Sequence, residues 1–499
     1  MQIPFFHIEI PTQAQDHKIL ANILPGADSL AVSEIAVQFN GLTVVVTNDT
    51  RSAVRLEKEL AQLSPLNVTF FPDWETLPYD SFSPHQDIIS VRLSALFHLQ
   101  QRKQGIFILP IATLMQRVCP PSYLQHRVLL INKGDRFVIE TLRLQLEKSG
   151  YRAVEQVLEH GEYAVRGALL DLFPMGSAVP FRLDFFDDEI DSIRTFDVDT
   201  QRTLQEIDQI NLLPAHEFPT DNQGIEFFRS QFRAAFGEIR RDPEHIYQQI
   251  SKGTLAAGIE YWQPLFFEEM ATLFDYFPEN TLFITGEQNQ TQGERFYADA
   301  EQRFESRRVD PMRPLLSPDK LWLRIDDVNR QLKNYPAIAL KTEKVRSSAR
   351  QKNLAITPLP PVTIQSQQKE PLHQLRQFIE HFKGNILFIV ETDGRRETLL
   401  SLLAPLKLKP KQIHSLAQAT EEKLALMVSP LEHGFIIEQD VPLAIICESE
   451  LLGERVQQRQ RDKSRTVNPD TLIRNLAELQ IGQPVVHLDH GVGRYGGLV

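Results

Sequence analysis

The residue types that could do covalent or phosphate chemistry are present only in fragments, and the most telling fragment lacks its essential member. A phosphate-binding loop needs glycines that let backbone N–H groups close on the phosphates, a lysine to neutralise them and a Ser or Thr for magnesium. Where such a loop would precede the first helix the chain reads PGADSLAVSEIA (Pro25 to Ala36), and the dipeptide Gly-Lys occurs nowhere. Gly26 and Ser29 therefore mark a degenerate nucleotide site. Two acidic strings, LDFFDDE at 183–189 and AIICESE at 444–450, imitate magnesium carboxylates. With no partner loop, each reads as a strand running into a turn.

Other signatures are weaker. Gly491, Gly493 and Gly496 form a G-x-G-x-x-G after the strand-like PVVHL, but Tyr495 and the glycines around it favour turns and strands over the helix that a dinucleotide fingerprint must open. His487 and His490 have only Asp489 beside them, too few ligands for a metal site. His216 and Glu217 are followed by Phe218 and Pro219 rather than by the rest of H-E-x-x-H, and no G-x-S-x-G occurs. Cys119 and Cys447 lie far apart in apolar surroundings and read as small hydrophobes. No cofactor is expected in the chain itself.

The informative segment is Gly161 to Thr203. In FRLDFF, alternation puts Phe181, Leu183 and Phe185 on one face of a strand and Arg182, Asp184 and Phe186 on the other. An aromatic beside an arginine on a solvated sheet face has the composition of a protein-protein hot spot. A neighbouring domain, or the stem of Arg182, covering Phe186 would explain the same pattern. Arg166, before Gly167 at a hairpin-like bend, is either a lone surface charge or a member of the same cluster.

These residues need a multi-domain scaffold. At 499 residues the chain exceeds one core. Short apolar runs at 42–47, 68–71, 106–109 and 128–131 alternate with helix-compatible stretches such as 51–60, which predicts a parallel, doubly wound sheet. From 133 to 213 one helix (140–149) and period-two strands predict an α+β insert rich in hairpins. Helical patterns at 225–236 and 245–250 and the strand 281–285 complete the first domain, to 349. The proline-rich 354–361 punctuates the chain. A second small α/β domain at 350–452 then carries helices near 372–382 and 397–403 and strands 386–390 and 443–447. Residues 453–480 read as a basic linker, and 481–499 begin a unit that stops mid-pattern, as in a truncated sequence. Within the linker, Arg455, Arg459, Arg461, Lys463 and Arg465 face two acidic residues; they form a solvated helix or a DNA-backbone contact.

Composition sets the limits. Hydrophobic residues at 42% and charged residues at 24% describe ordinary globular domains. A net charge of −12 opposes a surface devoted to phosphate contacts. No run of about 18 apolar residues and no signal-peptide pattern occurs, so a cytoplasmic location is expected.

Several long strings carry a family resemblance. LPYDSFSPHQDIISVRLSAL (77–96), ATLMQRV (112–118) and GEYAVRGALLDLFPMG with FRLDFFDDEIDSIRTFDVDTQRT resemble segments shared by the excision subunit UvrB and the transcription-repair coupling factors (Mfd). RDPEHIYQQISKGTLAAGIEYWQPLFF (241–267), VDPMRPLL (309–316), AIICESELLGER and NPDTLIRNLAELQIGQPVVHLDHGVGRYGG are similar to the coupling factors in particular. The resemblance implies a UvrB-like front half with a degenerate RecA-like nucleotide fold, whose second domain (133–213) recruits UvrA. Arg166, Arg182 and Phe186 match the positions the family uses for that contact. It implies further that 481–499 start the small β-barrel that grips the RNA polymerase β subunit. ATP, magnesium and double-stranded DNA would engage motor domains of the full-length protein, outside this chain. The alternative is a UvrB-like ATP-dependent helicase subunit, which the missing Gly-Lys and the missing aromatic β-hairpin oppose.

Overall fold

A computed structural model describes residues 5–237, 240–365 and 370–452 and, for the backbone alone, 484–487 and 491–494. It is a mixed α/β assembly built on three large sheets.

The first strands are β1 (His17–Ala21), β2 (Leu42–Thr47), β3 (Val68–Phe70) and β4 (Gly105–Pro110). Helix α1 (Ala27–Phe39) joins β1 to β2, α2 (Thr50–Leu63) joins β2 to β3, and α3 (Gln86–Leu99) precedes β4. Every residue of β2 and β4 is buried, as expected of parallel strands covered on both faces. Asp49 caps α2, its carboxylate accepting from the Ser52 amide, and Leu56, Leu60 and Leu63 turn one stripe of the helix inward.

The chain then leaves this sheet. Strand β5 (Leu129–Asn132) pairs antiparallel with β12 (Gln209–Leu212), and between them lie β6 (Arg152–Ala153), β7 (Glu162–Arg166), β8 (Leu169–Leu172), β9 (Phe181–Phe186), β10 (Glu189–Phe196) and β11 (Thr203–Ile207). These six form one sheet in the order β11-β10-β9-β8-β7-β6. The apolar run at 128–131, expected in the doubly wound sheet, is thus a strand of an antiparallel two-stranded stem. A short apolar run fixes extended backbone but not its partner, and here the partner is supplied 80 residues later by the returning chain.

After the insert, β13 (Thr281–Thr285), β14 (Ala337–Leu340) and β15 (Gln351–Asn353) enter the first sheet, giving an all-parallel order β15-β1-β14-β13-β2-β4-β3. The first sheet therefore reaches Asn353, past the boundary expected at 349. Strand β16 (Ile356–Thr357), inside the proline-rich stretch, already belongs to the next sheet. That sheet adds β17 (Asn385–Val390), β18 (Lys411–Gln412), β19 (Leu424–Val428), β20 (Phe435–Ile437) and β21 (Leu443–Cys447), in the order β16-β20-β21-β17-β19-β18. One apolar core runs through both α/β units: Ile35, Val45 and Leu60 from the first pack in a continuous cluster with Leu387, Phe435 and Ile445 from the second.

AIICESE departs from its expected shape, since β21 runs into the short helix Glu448–Leu452 and not into a turn. Glu450 explains this locally, because its carboxylate accepts the Cys447 and Gly434 amides and closes the first helical turn. LDFFDDE is a strand entering a turn, as expected. Near the end, β22 (Pro484–His487) pairs antiparallel with β23 (Gly491–Arg494), which places Gly491 and Gly493 in a strand. His490, Gly496 and the remainder of the expected barrel lie outside the described residues.

Candidate functional site

The insert's sheet has two unlike faces. Tyr163, Leu170, Leu172, Phe181, Leu183, Phe185, Ile190 and Ile193 join the main core. Register puts Ala164 beside Asp171 and Asp171 beside Arg182 on the opposite face, where Asp184 and Phe186 continue along β9. Part of this face is closed by a small separate core of Val157, Ala164, Phe173 and Phe196. Phe186 is 75% exposed, so among the described residues neither another domain nor the stem of Arg182 covers it.

Two turns aim the exposed groups. Gly167 follows β7 at φ +62°, at the first central position of a two-residue hairpin, where glycine takes the left-handed backbone without a Cβ penalty. Asp187 adopts φ +54° directly after Phe186, a conformation that Asp tolerates better than most residues.

Arg166 and Arg182 are brought together by a third residue, Asp171, which is 2% exposed. Arg182 Nε donates to Asp171 Oδ1 at 2.7 Å and its Nη2 to Oδ2 at 2.9 Å, a forked pair. Arg166 Nη2 donates to the same Oδ2 at 3.0 Å. Arg182 also donates to the Gln201 carbonyl at 3.3 Å and lies over the Phe196 ring at 5.1 Å. The Asp171 bonds hold its guanidinium above the ordinary arginine pKa. Arg182 is largely enclosed, with 18% of its side chain exposed, whereas Arg166 has 52% exposed. Two cations on one carboxylate leave one positive charge over, and exposure assigns it to Arg166. Sequence reasoning missed Asp171; its one signal was an aspartate inside the apolar run LLDL.

Gly26 and Ser29 sit elsewhere, where α1 begins. Gly26 has φ +85°, and the Asp28 carboxylate accepts both the Gly26 amide at 3.0 Å and the Ser29 amide at 2.9 Å. The Ser29 hydroxyl donates to the Gly26 carbonyl at 2.8 Å. These are the groups an intact loop would turn toward phosphate and magnesium. The chain's own carboxylate occupies the amides. The cation beside it, Arg55, is shared between Asp28 and Glu59, donating to Glu59 Oε2 at 2.8 Å. The second α/β unit closes the place from outside, since the His433 carbonyl lies against Gly26 and the Glu432 amide donates to Glu59 Oε1 at 3.3 Å. Burial pushes the Glu59 carboxyl up to about 7, against the pull of Arg55.

Arg455, Arg459, Arg461, Lys463 and Arg465 lie outside the described residues. Among the described residues no group of three or more His, Cys, Asp and Glu could hold a metal ion, and no helix is long and apolar enough to cross a membrane.

Residues 129–218 match the UvrB interaction domain, a segment that contains Arg166, Asp171, Arg182 and Phe186, and residues 378–451 match the MFD D3 domain. Over 499 residues the chain is 77% identical to the transcription-repair-coupling factor of Haemophilus influenzae, covering all of this chain and 44% of that protein. It is 56% identical to the Escherichia coli protein of the same name over 99% of this chain and 43% of the relative, and 25% identical to the Bacillus subtilis one over 96% and 42%. The chain thus spans less than half the length of the relatives it matches.

Proposed function

We propose that this chain, a relative of the transcription-repair-coupling factors along its whole length, is a docking scaffold of transcription-coupled nucleotide excision repair that recruits UvrA through the polar face of its insert. One observation carries the reading: within the segment matching the UvrB interaction domain, a half-exposed arginine and a phenylalanine that is 75% exposed stand on one rigid sheet face. A large aromatic left in water, on the same face as an arginine with half its side chain exposed, is costly unless a partner takes it up. Arg166, Arg182 and Phe186 make up that docking face.

The chain supplies docking and not the motor. In the longer relatives, ATP with magnesium would drive translocation on double-stranded DNA from domains beyond those matched here, and the unit begun at 481–499 would engage the RNA polymerase β subunit. Arg455, Arg459, Arg461, Lys463 and Arg465 would touch DNA backbone. The domain plan at 1–132, 133–213, 214–349, 350–452, 453–480 and 481–499, with the first domain carried on to Asn353 by its last strand, and the cytoplasmic location belong to the same proposal. Self-occupation of the Gly26 and Ser29 amides favours this reading over a UvrB-like ATPase.

Titrating the chain with purified UvrA in an isothermal calorimeter tests the proposal. Saturable binding is expected. A folded chain that leaves UvrA unbound at micromolar concentration overturns it.

A further inference from the structure

The three residues of the docking face are not equivalent, and the difference lies in how each is held. Phe186 makes its contacts with solvent. Arg166 has one bond, to Asp171, and half its side chain exposed. Arg182 points into the sheet face, with its fork on Asp171, a third donor on Gln201 and its plane on Phe196. A guanidinium so engaged has little left to offer a partner. What it does instead is fix both carboxylate oxygens of Asp171, one of which then receives Arg166 across β7 and β8.

We infer that Asp171 is the positioning residue of this face: Arg182 locks its carboxylate, and the carboxylate holds the Arg166 guanidinium at the angle and place where an acidic group of the partner meets it. A long arginine side chain at a hairpin end would otherwise sample many rotamers, and ordering it on binding costs affinity. Pre-ordering by a buried carboxylate removes that cost before the partner arrives. Asp184, on the same face between Arg182 and Phe186, makes no bond to either arginine and leaves the Asp171 pairing undisturbed. The inference rests on the docking reading above and adds a residue and a division of labour to it.

A double-mutant cycle separates this role from a merely structural one. UvrA affinity is measured for the full chain carrying Asp171→Asn, Arg166→Ala, both together, and Phe186→Ala. Asp171→Asn alone is expected to weaken binding roughly tenfold, the scale of a lost charge-assisted contact, and to cost nothing further once Arg166 is alanine. An equal loss in both backgrounds, or none in the first, overturns the inference. If Phe186→Ala weakens binding while Arg166→Ala does not, the docking reading stands and the role of Asp171 fails. If neither weakens it, the docking reading fails and Asp171 with it. Should Asp171→Asn unfold the insert, Asp171→Asn with Arg182→Met removes the buried charge with its partner. In that background Arg166→Ala must cost less than in the native chain, and an undiminished cost overturns the inference.

Discussion

Arg92 and Glu217, 125 positions apart in sequence, meet in a salt bridge of 2.8 Å with side chains 0% and 2% exposed. Glu217 also accepts the Trp74 indole N–H at 3.1 Å, and Arg92 donates to the Pro72 carbonyl at 2.7 Å and lies over the Phe71 ring at 4.4 Å. The pair fastens α3 to the segment that returns from the insert, so the insert's sheet is carried on a fixed mount. Glu217→Gln strands a buried cation and is expected to cost about 3–5 kcal/mol, read from urea unfolding followed by circular dichroism. A change below about 1 kcal/mol would show that the surrounding aromatic rings alone sustain the mount.

Glu59 makes stability depend on pH. Its carboxyl is raised from an ordinary 4.5 to about 7, first by burial, so the folded chain holds the proton more tightly than the unfolded chain does. The resulting stabilisation is fully present below the unfolded value and is lost as pH rises through about 7. Glu34 and Glu260, also raised to about 7 by burial, act in the same sense. His216 opposes them on the acid side: burial lowers it from 6.5 to about 4, so its contribution is lost as pH falls. Glu59→Gln should therefore shrink the fall in urea midpoint between pH 5 and pH 8 relative to the native chain. Parallel midpoint curves for the two proteins would contradict the assignment.

The locus of Gly26 should be both rigid and closed to nucleotide. At φ +85° a methyl group is strained, and there it would also strike the His433 carbonyl, so Gly26→Ala is expected to cost at least ~2 kcal/mol. A nucleotide present at a hundred times its Kd would stabilise the fold by ~2.7 kcal/mol. Millimolar ATP with magnesium is expected to leave the melting temperature of this chain unmoved, as followed by differential scanning calorimetry.

The alternation in FRLDFF made one face of β9 legible, because a period of two needs no knowledge of neighbouring strands. The partner of Arg182 was not legible: Asp171 lies eleven positions earlier, and only the β8–β9 register sets it opposite. Likewise the missing lysine near Gly26 is a property of the sequence, whereas the loop that closes the place comes from residues 432–433, about 400 positions away. The apolar run before residue 133 looked like a central strand since its composition matches one, and its antiparallel partner is specified only by the path of the insert.

Phe186 is the residue on which UvrA docking depends most directly. Because its side chain is 75% exposed, Phe186→Ala should leave the melting temperature within about 1 °C of native, in keeping with the small stability effects of surface substitutions. The measurement is UvrA affinity of Phe186→Ala against the native chain, with folding checked by circular dichroism. A loss of at least ~2 kcal/mol, roughly thirtyfold, is expected at unchanged stability. Native affinity in a folded Phe186→Ala chain would contradict it and place any UvrA contact on another surface.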